Sequence, residues 1–198
     1  MERIAIVGFC VTLAVVTMAA DTPTTTQPTT ALLIIDIQDF YFPGGAVPLV
    51  GPEAAAANAA RVLAAFRAAG RPVVHVRHDV EPGGAIHASV APIEGEKVVT
   101  KTEVSCFNGT PVLAYLRELG VKQLVLVGMQ THMCLEAATR AAHDLGFECI
   151  VVGDACATRD LKYGDATVTA ADVHASTLAT LDGTYATVVD TETFLAGD

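Results

Sequence analysis

The chain has 198 residues and a formal net charge of −10, from 12 lysines and arginines against 22 aspartates and glutamates. Hydrophobic residues make up 52% and charged residues 17% of the chain, and this combination excludes an intrinsically disordered protein. The acidic balance, with no cluster of lysines and arginines, argues against binding to a nucleic acid backbone. Five cysteines are too sparse for a small disulfide-stapled protein. The composition therefore indicates one globular domain with a small-molecule function.

The first 30 residues differ in composition from the rest of the chain. A short start with one arginine is followed by an almost unbroken apolar run over residues 4–16 and then by small residues, the three-part pattern of a secretory signal peptide. We predict a signal peptide over residues 1–20, a Thr/Pro-rich linker over residues 21–30, a domain over residues 31–198, and export to the periplasm or the medium. A membrane anchor, or an internal first strand in a cytoplasmic protein, remains an alternative, although the apolar run is shorter than the roughly 20 residues of a membrane span.

Strand and helix patterns alternate through the predicted domain. Continuous apolar runs of the kind found in buried parallel strands occur at residues 31–36, 73–77, 98–101, 124–128, 149–153 and 185–189. Helical patterns that end at or near a glycine occur at residues 53–69, 110–120, 134–145 and 170–181. This alternation predicts a doubly wound α/β fold, in which a six-stranded parallel sheet carries helices on both faces in a Rossmann-like three-layer sandwich.

Three reactive side chains lie where predicted strands end. Asp36 ends the first strand, Lys101 ends the third, and Cys134 follows the fourth at the start of a helix. Because ligands of such sheets bind beyond the carboxyl ends of the strands, we expect the three side chains to meet there. A helix N-terminus and an ammonium group both favour the thiolate form of a cysteine, and a carboxylate can take the thiol proton and return it to a leaving amine. Each residue taken alone has an ordinary structural interpretation, so their convergence carries the prediction.

These residues stand in motifs that resemble the isochorismatase-like cysteine hydrolase family. The likeness extends over residues 31–195, nearly all of the predicted domain, and the family fold is a six-stranded parallel sheet with helices on both faces. Five segments in the family's order carry the resemblance: residues 32–40 (LLIIDIQDF), 101–110 (KTEVSCFNGT), 128–134 (GMQTHMC), 136–146 (EAATRAAHDLG) and 152–157 (VGDACA).

The resemblance implies a catalytic triad of Asp36, Lys101 and Cys134, in which the cysteine of amide-cleaving members forms an acyl-enzyme that water resolves. It also implies a cis peptide bond between Met129 and Gln130, and an oxyanion hole formed by the backbone N–H groups of Gln130 and Cys134. Members that cleave the vinyl ether of isochorismate tend to lack the thiol, so Cys134 favours an amide or imide C–N bond as the target. An isochorismatase-type activity and a non-catalytic binding domain on the same fold remain alternatives.

Nicotinamidase-like members of the family carry a metal site with an Asp-x-His motif, whereas this chain has His-Asp in the corresponding region. His75, His78 and His87 are the histidines of this region that zinc would require as ligands. A strand histidine and two loop histidines with ordinary polar partners are the commoner situation. We therefore predict no metal and no other cofactor, and we disfavour nicotinamide as the substrate.

Five further side chains are candidate substrate contacts because they lie near the reactive residues or in the same motifs: Gln38, Phe42, Phe107, Met129 and His132. Gln38 lies two residues beyond Asp36, on the same face of an extended segment, and is expected to orient the carboxylate or touch the substrate. The two phenylalanines are explained equally well as core residues, and His132 as a residue lining the helix start. His174 falls in the apolar stripe of its helix, which favours a core or subunit-interface position.

Three cysteines, Cys106, Cys149 and Cys156, lie in or beside predicted elements and are interpreted as structural. A disulfide between two of them is an alternative in an exported protein, and the sequence does not choose between the pairings. The family likeness implies a homo-oligomer, either a dimer or a tetramer. The remaining expected partner is a small-molecule substrate, with neither a nucleic acid nor stable membrane insertion of the mature domain.

Overall fold

Eight strands and five α-helices alternate along the part of the chain that the computed structural model describes, which is Met1 and residues 29–197. Nearly all of the predicted signal peptide and linker lie outside these residues. The strands are β1 (Thr30–Ile35), β2 (Val73–His78), β3 (Lys97–Lys101), β4 (Gln123–Met129), β5 (Glu148–Ala157), β6 (Leu161–Tyr163), β7 (Ala166–Val168) and β8 (Thr187–Val189). The helices are α1 (Pro52–Ala68), α2 (Val112–Glu118), α3 (Glu136–Asp144), α4 (Ala170–Leu181) and α5 (Thr191–Gly197).

Six of the strands form one parallel sheet in the order β3-β2-β1-β4-β5-β8. The central strand β1 is an unbroken apolar run that is buried on both faces, as expected for a parallel strand covered on both sides. Leu32 and Ile34 pack on the side of α1 and α5, while Leu33 and Ile35 pack on the side of α2, α3 and α4. The predicted doubly wound sheet with helices on both faces is therefore confirmed.

Several elements differ from the sequence prediction in their limits. Strand β5 continues to Ala157, four residues beyond the predicted end, and its pairing with β4 shifts register between Leu126 and Gly128. The predicted helix at residues 134–145 begins instead with a π-helical turn over Thr131–Leu135, which leads directly into α3. The antiparallel hairpin of β6 and β7 and the helix α5 were not predicted. Their short segments are largely exposed, so they lack the apolar periodicity on which the prediction depends.

The strands β1 and β4 approach each other closely where they end. Gly128 has a φ of +133°, and a side chain there would place its Cβ 1.9 Å from the carbonyl oxygen of Ile35. Only glycine allows this approach. It brings the segment after β4 beside Asp36, which directly follows Ile35. No helix in the described part of the chain is both long enough and apolar enough to cross a membrane.

Candidate active site

The carboxyl edge of the sheet brings together the three reactive residues that the sequence singled out. Asp36 directly follows β1, Lys101 is the last residue of β3, and Cys134 lies in the π-helical turn that follows β4. The ammonium nitrogen of Lys101 lies 2.8 Å from Oδ2 of Asp36 and 3.3 Å from Sγ of Cys134. The three residues are 0%, 2% and 6% exposed, in the order Asp36, Lys101, Cys134. A cation, an anion and a thiol are thus in contact in a site that is nearly closed to bulk water.

The backbone of Asp36 adopts an unusual conformation. Its φ of +50° makes it the one non-glycine residue with a positive φ in the described part of the chain. Side chains other than glycine disfavour this left-handed region, so the surrounding structure has to hold it. The Asp36 N–H donates to the carbonyl of Val76 at 2.9 Å, which ties the residue to the end of β2. Strain at such a position is typical of functional sites.

Burial of Cys134 beside Asp36 works against a thiolate in the resting protein, which is opposite in direction to the expectation from the sequence. Burial raises the pKa of Cys134 to about 12, the charge of Asp36 acts in the same direction, and the Lys101 ammonium opposes them. The effect of the helix N-terminus is therefore outweighed by burial beside a carboxylate. The thiol carries its proton at neutral pH, so a nucleophilic role requires a neighbouring base.

Asp36 is placed to be that base. Burial raises its pKa above the ordinary value against the opposing effect of Lys101, which makes the carboxylate a stronger proton acceptor. The Asp36 carboxylate also interacts directly with the Cys134 side chain, so it is within reach of the thiol proton. Burial favours the neutral amine of Lys101, but the ion pair with Asp36 outweighs that effect and keeps the pKa of Lys101 above its ordinary value.

Gln130, one of the two proposed oxyanion-hole residues, follows a cis peptide bond from Met129 and is almost fully buried. The Gln130 side chain is fixed at both ends, because its Nε2 donates to the hydroxyl of Tyr41 at 3.3 Å and its Oε1 accepts from Nε of Arg159 at 3.1 Å. Burial raises the pKa of Tyr41 to about 12, so the phenol is neutral. Cys134 lies four residues further along the same connection, so the backbone N–H groups of both residues belong to one short segment.

The expected substrate contacts occupy different kinds of position. Gln38 is fully buried and all of its amide is used by backbone groups: it donates to the carbonyls of His78 and Gly84 and accepts from the His78 N–H. It therefore joins the end of β2 to the loop that contains Gly84, and both of its polar atoms already have backbone partners. Phe107 is partly buried and packs against the core, with its ring 6.2 Å from that of Phe147, which precedes β5 at the opposite edge of the sheet. Gln38 thus differs from the substrate contact expected from the sequence, while Phe107 follows the core interpretation that the sequence left open.

The other expected contacts lie nearer the reactive residues. Met129 is completely buried at the end of β4 and packs in the core layer beneath α1. His132 is half-buried, and its Nδ1 lies 2.6 Å from the hydroxyl of Thr158 at the end of β5. Phe42 is buried, and its ring stacks on His87 at 3.7 Å. Of these three residues, His132 is the one that belongs to the turn that carries Cys134.

The three histidines considered as zinc ligands have separate environments. His87 stacks on Phe42, His78 contacts Lys101, and the buried ring of His75 lies 2.8 Å from a carboxylate oxygen of Glu96. Within residues 29–197, no three histidine, cysteine, aspartate or glutamate side chains are grouped as metal ligands would be. Glu96 also accepts hydrogen bonds from Arg67 and from the Ile93 N–H, so it joins α1, β2 and the loop before β3.

Replacing Glu96 with glutamine is expected to lower the free energy of unfolding by about 2 kcal/mol at pH 7. The hydrogen bond from Arg67 is the main cause that lowers the pKa of Glu96 from 4.5 to about 2. A carboxyl whose pKa is lower in the folded than in the unfolded protein stabilises the fold at pH values above its unfolded pKa. This contribution is lost as the pH falls from about 4.5 towards about 2. Urea unfolding between pH 2 and pH 7 measures both effects.

The variant Glu94→Gln provides the control, because Glu94 is exposed two residues away and should change the free energy of unfolding by less than about 0.5 kcal/mol. If Glu96→Gln keeps the acid dependence of the wild type, the Arg67–Glu96–His75 cluster does not stabilise the fold in the way described.

The four described cysteines are free and buried. Cys106, Cys149 and Cys156 each have a thiol pKa raised to about 12, with burial as the main cause. Only Cys134 contacts Lys101 among these four thiols. The four thiols are therefore alike in burial and in the raised pKa, and they differ in the groups that contact them.

Four residues near the site were missed as participants by the sequence analysis. Tyr41 and Arg159 hold the side chain of Gln130, and His78 contacts Lys101. Thr131 directly follows Gln130, and its hydroxyl lies 2.9 Å from Nδ1 of His174. His174 is therefore a residue of α4 whose ring is hydrogen-bonded to the turn after β4. The available signal was their position at or after the ends of β1, β2, β4 and β5, because the carboxyl ends of all four strands face this site.

Comparison with known proteins identifies the family. The model of the isochorismatase domain matches residues 30–193. An uncharacterized isochorismatase family protein of Bacillus subtilis, YddQ, is 47% identical over 178 residues, which are 84% of this chain and 99% of the relative. Maleamate amidohydrolase of Pseudomonas putida is 32% identical and covers 68% of this chain and 81% of its own. A solved structure assigned to the isochorismatase hydrolases, from Oleispira antarctica, is 48% identical with a TM-score of 0.83 and covers 87% of this chain and 99% of its own. The chain belongs to the isochorismatase family of hydrolases.

Proposed function

We propose that the protein hydrolyses a C–N bond of a small amide through a thioester on Cys134, with Asp36 as the base and Lys101 as the fixed cation. The observation that supports this most strongly is the contact of the Lys101 ammonium with both the Asp36 carboxylate, at 2.8 Å, and the Cys134 sulfur, at 3.3 Å. A buried base beside a buried thiol is the arrangement needed when the thiol is protonated at rest.

In the proposed reaction, Asp36 takes the thiol proton while Sγ of Cys134 attacks the carbonyl carbon. The negative charge that develops on the carbonyl oxygen is stabilised by the backbone N–H groups of Gln130 and Cys134. Asp36 then gives its proton to the leaving nitrogen, the C–N bond breaks, and the amine or ammonia departs from the thioester. A water molecule that loses a proton to Asp36 attacks the thioester, and the carboxylic acid and the thiol are regenerated.

The substrate we propose carries a carboxylate besides its amide. Arg159 is exposed, and its Nε donates a hydrogen bond to the side chain of Gln130. Because Gln130 is one of the proposed oxyanion-hole residues, the guanidinium group of Arg159 is separated from that hole by the Gln130 side chain. A single guanidinium is well suited to bind one carboxylate through two hydrogen bonds. Maleamate amidohydrolase, which is 32% identical, is named for a substrate with this combination of groups.

A panel of small amides, ureas and imides, scored for ammonia release, tests this proposal. Among the amides we expect the monoamides of dicarboxylic acids to be hydrolysed faster than neutral amides of the same size. Rapid acid quenching followed by mass spectrometry should then find the acyl group on the peptide that contains Cys134. Release of pyruvate from isochorismate without any amide turnover would instead favour the vinyl-ether reaction, and absence of both reactions would favour a binding domain.

A further inference from the structure

We propose that His78 is a positioning residue that holds the Lys101 ammonium group in place through its Nδ1 atom. This inference rests on the proposed function, since it assigns a role within the same site. His78 is the last residue of β2, which lies between β1 and β3 in the sheet. It pairs in register with Lys101, and its Nδ1 lies 3.1 Å from Nζ of that lysine.

The Lys101 ammonium group has more possible hydrogen-bond acceptors around it than N–H donors. Lys101 has three N–H donors, and four atoms lie within reach: Oδ2 of Asp36 at 2.8 Å, the Glu103 carbonyl at 3.1 Å, Nδ1 of His78 at 3.1 Å and Sγ of Cys134 at 3.3 Å. While the thiol keeps its proton, the two oxygens and the ring nitrogen are the stronger acceptors. The sulfur becomes a strong acceptor only as it loses its proton.

This count gives His78 a specific part in the proton transfer. When the proton moves from Sγ to Asp36, the negative charge moves from the carboxylate to the sulfur. One N–H of Lys101 then follows the charge from Oδ2 to Sγ, while the other two stay on the Glu103 carbonyl and on His78. These two neutral acceptors therefore keep the nitrogen in place while its charged partner changes. Gln38 supports the arrangement, because its amide binds both the N–H and the carbonyl of His78.

The role requires a neutral ring with its proton on Nε2, because a protonated ring has no acceptor at Nδ1. The charged groups around the ring are Lys101 on β3, Asp36 after β1 and, within its own segment, Arg77 and Asp79, which pair with each other at 4.0 Å. Glu103 faces Lys101 through its backbone carbonyl. A second proton on His78 would place two cations 3.1 Å apart and leave one N–H of a buried ammonium without an acceptor.

Two substitutions separate this role from packing. In His78→Asn the amide oxygen occupies nearly the position of Nδ1 and cannot gain a proton, whereas His78→Leu keeps the bulk and removes the acceptor. We expect His78→Leu to lower kcat about 10- to 100-fold with little change in KM. We expect His78→Asn to stay within about threefold of the wild type at pH 8.

The rate at which iodoacetamide alkylates Cys134, located by peptide mass spectrometry, is a second readout that needs no substrate. A misplaced ammonium stabilises the thiolate less, so His78→Leu should react more slowly than the wild type and His78→Asn should not. Equal alkylation rates for wild type and His78→Leu, or equal slowing in both variants, would overturn the inference. If His78→Leu does not fold, kcat and the alkylation rate of His78→Asn decide, because a loss of either in a variant that keeps the acceptor contradicts the role. Failure of every amide in the panel would overturn the proposed function while the alkylation rates still test His78.

Discussion

Replacing Cys134 with alanine is expected to lower kcat/KM by about 10⁴-fold or more, because the variant has no atom that can form the thioester. The remaining groups still bind and polarise the substrate, so we expect KM to change little. Alanine is smaller than cysteine by one sulfur atom, and the site is 6% exposed at this residue, so the fold should survive. Ammonia release from the best amide of the panel, together with circular dichroism, measures both effects.

The matched control for this variant is Cys149→Ala. Cys149 is also buried, with a thiol pKa raised to about 12 by burial, but it lies at the start of β5, at the opposite edge of the sheet. We expect activity within about threefold of the wild type. If Cys134→Ala keeps more than a tenth of the activity while Cys149→Ala is impaired, the nucleophile has been assigned to the wrong thiol.

The sheet could be predicted because its strands carry their own signal. Strand β1 is apolar at every position from Ala31 to Ile35, and such a run is stable only where both faces are covered. The strand ends then locate Asp36, Lys101 and Cys134 on one edge without any knowledge of their contacts. The resemblance to the family added the cis peptide bond between Met129 and Gln130, which the side chains themselves do not indicate.

The environment of the reactive groups could not be predicted in the same way. The hydrogen bonds that hold Gln130 join residues 89 and 29 positions apart in sequence, and those that hold Gln38 span 40 and 46 positions. No local pattern encodes such contacts. The protonation state of Cys134 was also missed, since it depends on how deeply the thiol is buried beside Asp36, and burial depth results from the packing of the whole edge.

Replacing Asp36 with asparagine is expected to lower kcat about 10²- to 10⁴-fold, because the thiol at pKa about 12 loses the base that takes its proton. The same change should have the opposite effect on simple alkylation. The charge of Asp36 helps to raise the pKa of Cys134, and Lys101 lowers it. Without the carboxylate the thiolate becomes the counter-ion of Lys101, so iodoacetamide should react with Cys134 faster than in the wild type at pH 8.

Stability provides an independent check on the loss of activity. Asp36→Asn removes the carboxylate from the buried ammonium of Lys101, which is 2% exposed. The loss of one partner of a buried pair costs about 3–5 kcal/mol, and ionisation of the Cys134 thiol beside Lys101 offsets part of this cost. The double variant Asp36→Asn with Lys101→Met removes both charges, so we expect it to recover most of the free energy of unfolding and none of the activity. Turnover that returns together with stability would mean that the pair serves only the fold. Slower alkylation in the single variant would mean that Asp36 does not control the protonation of the thiol.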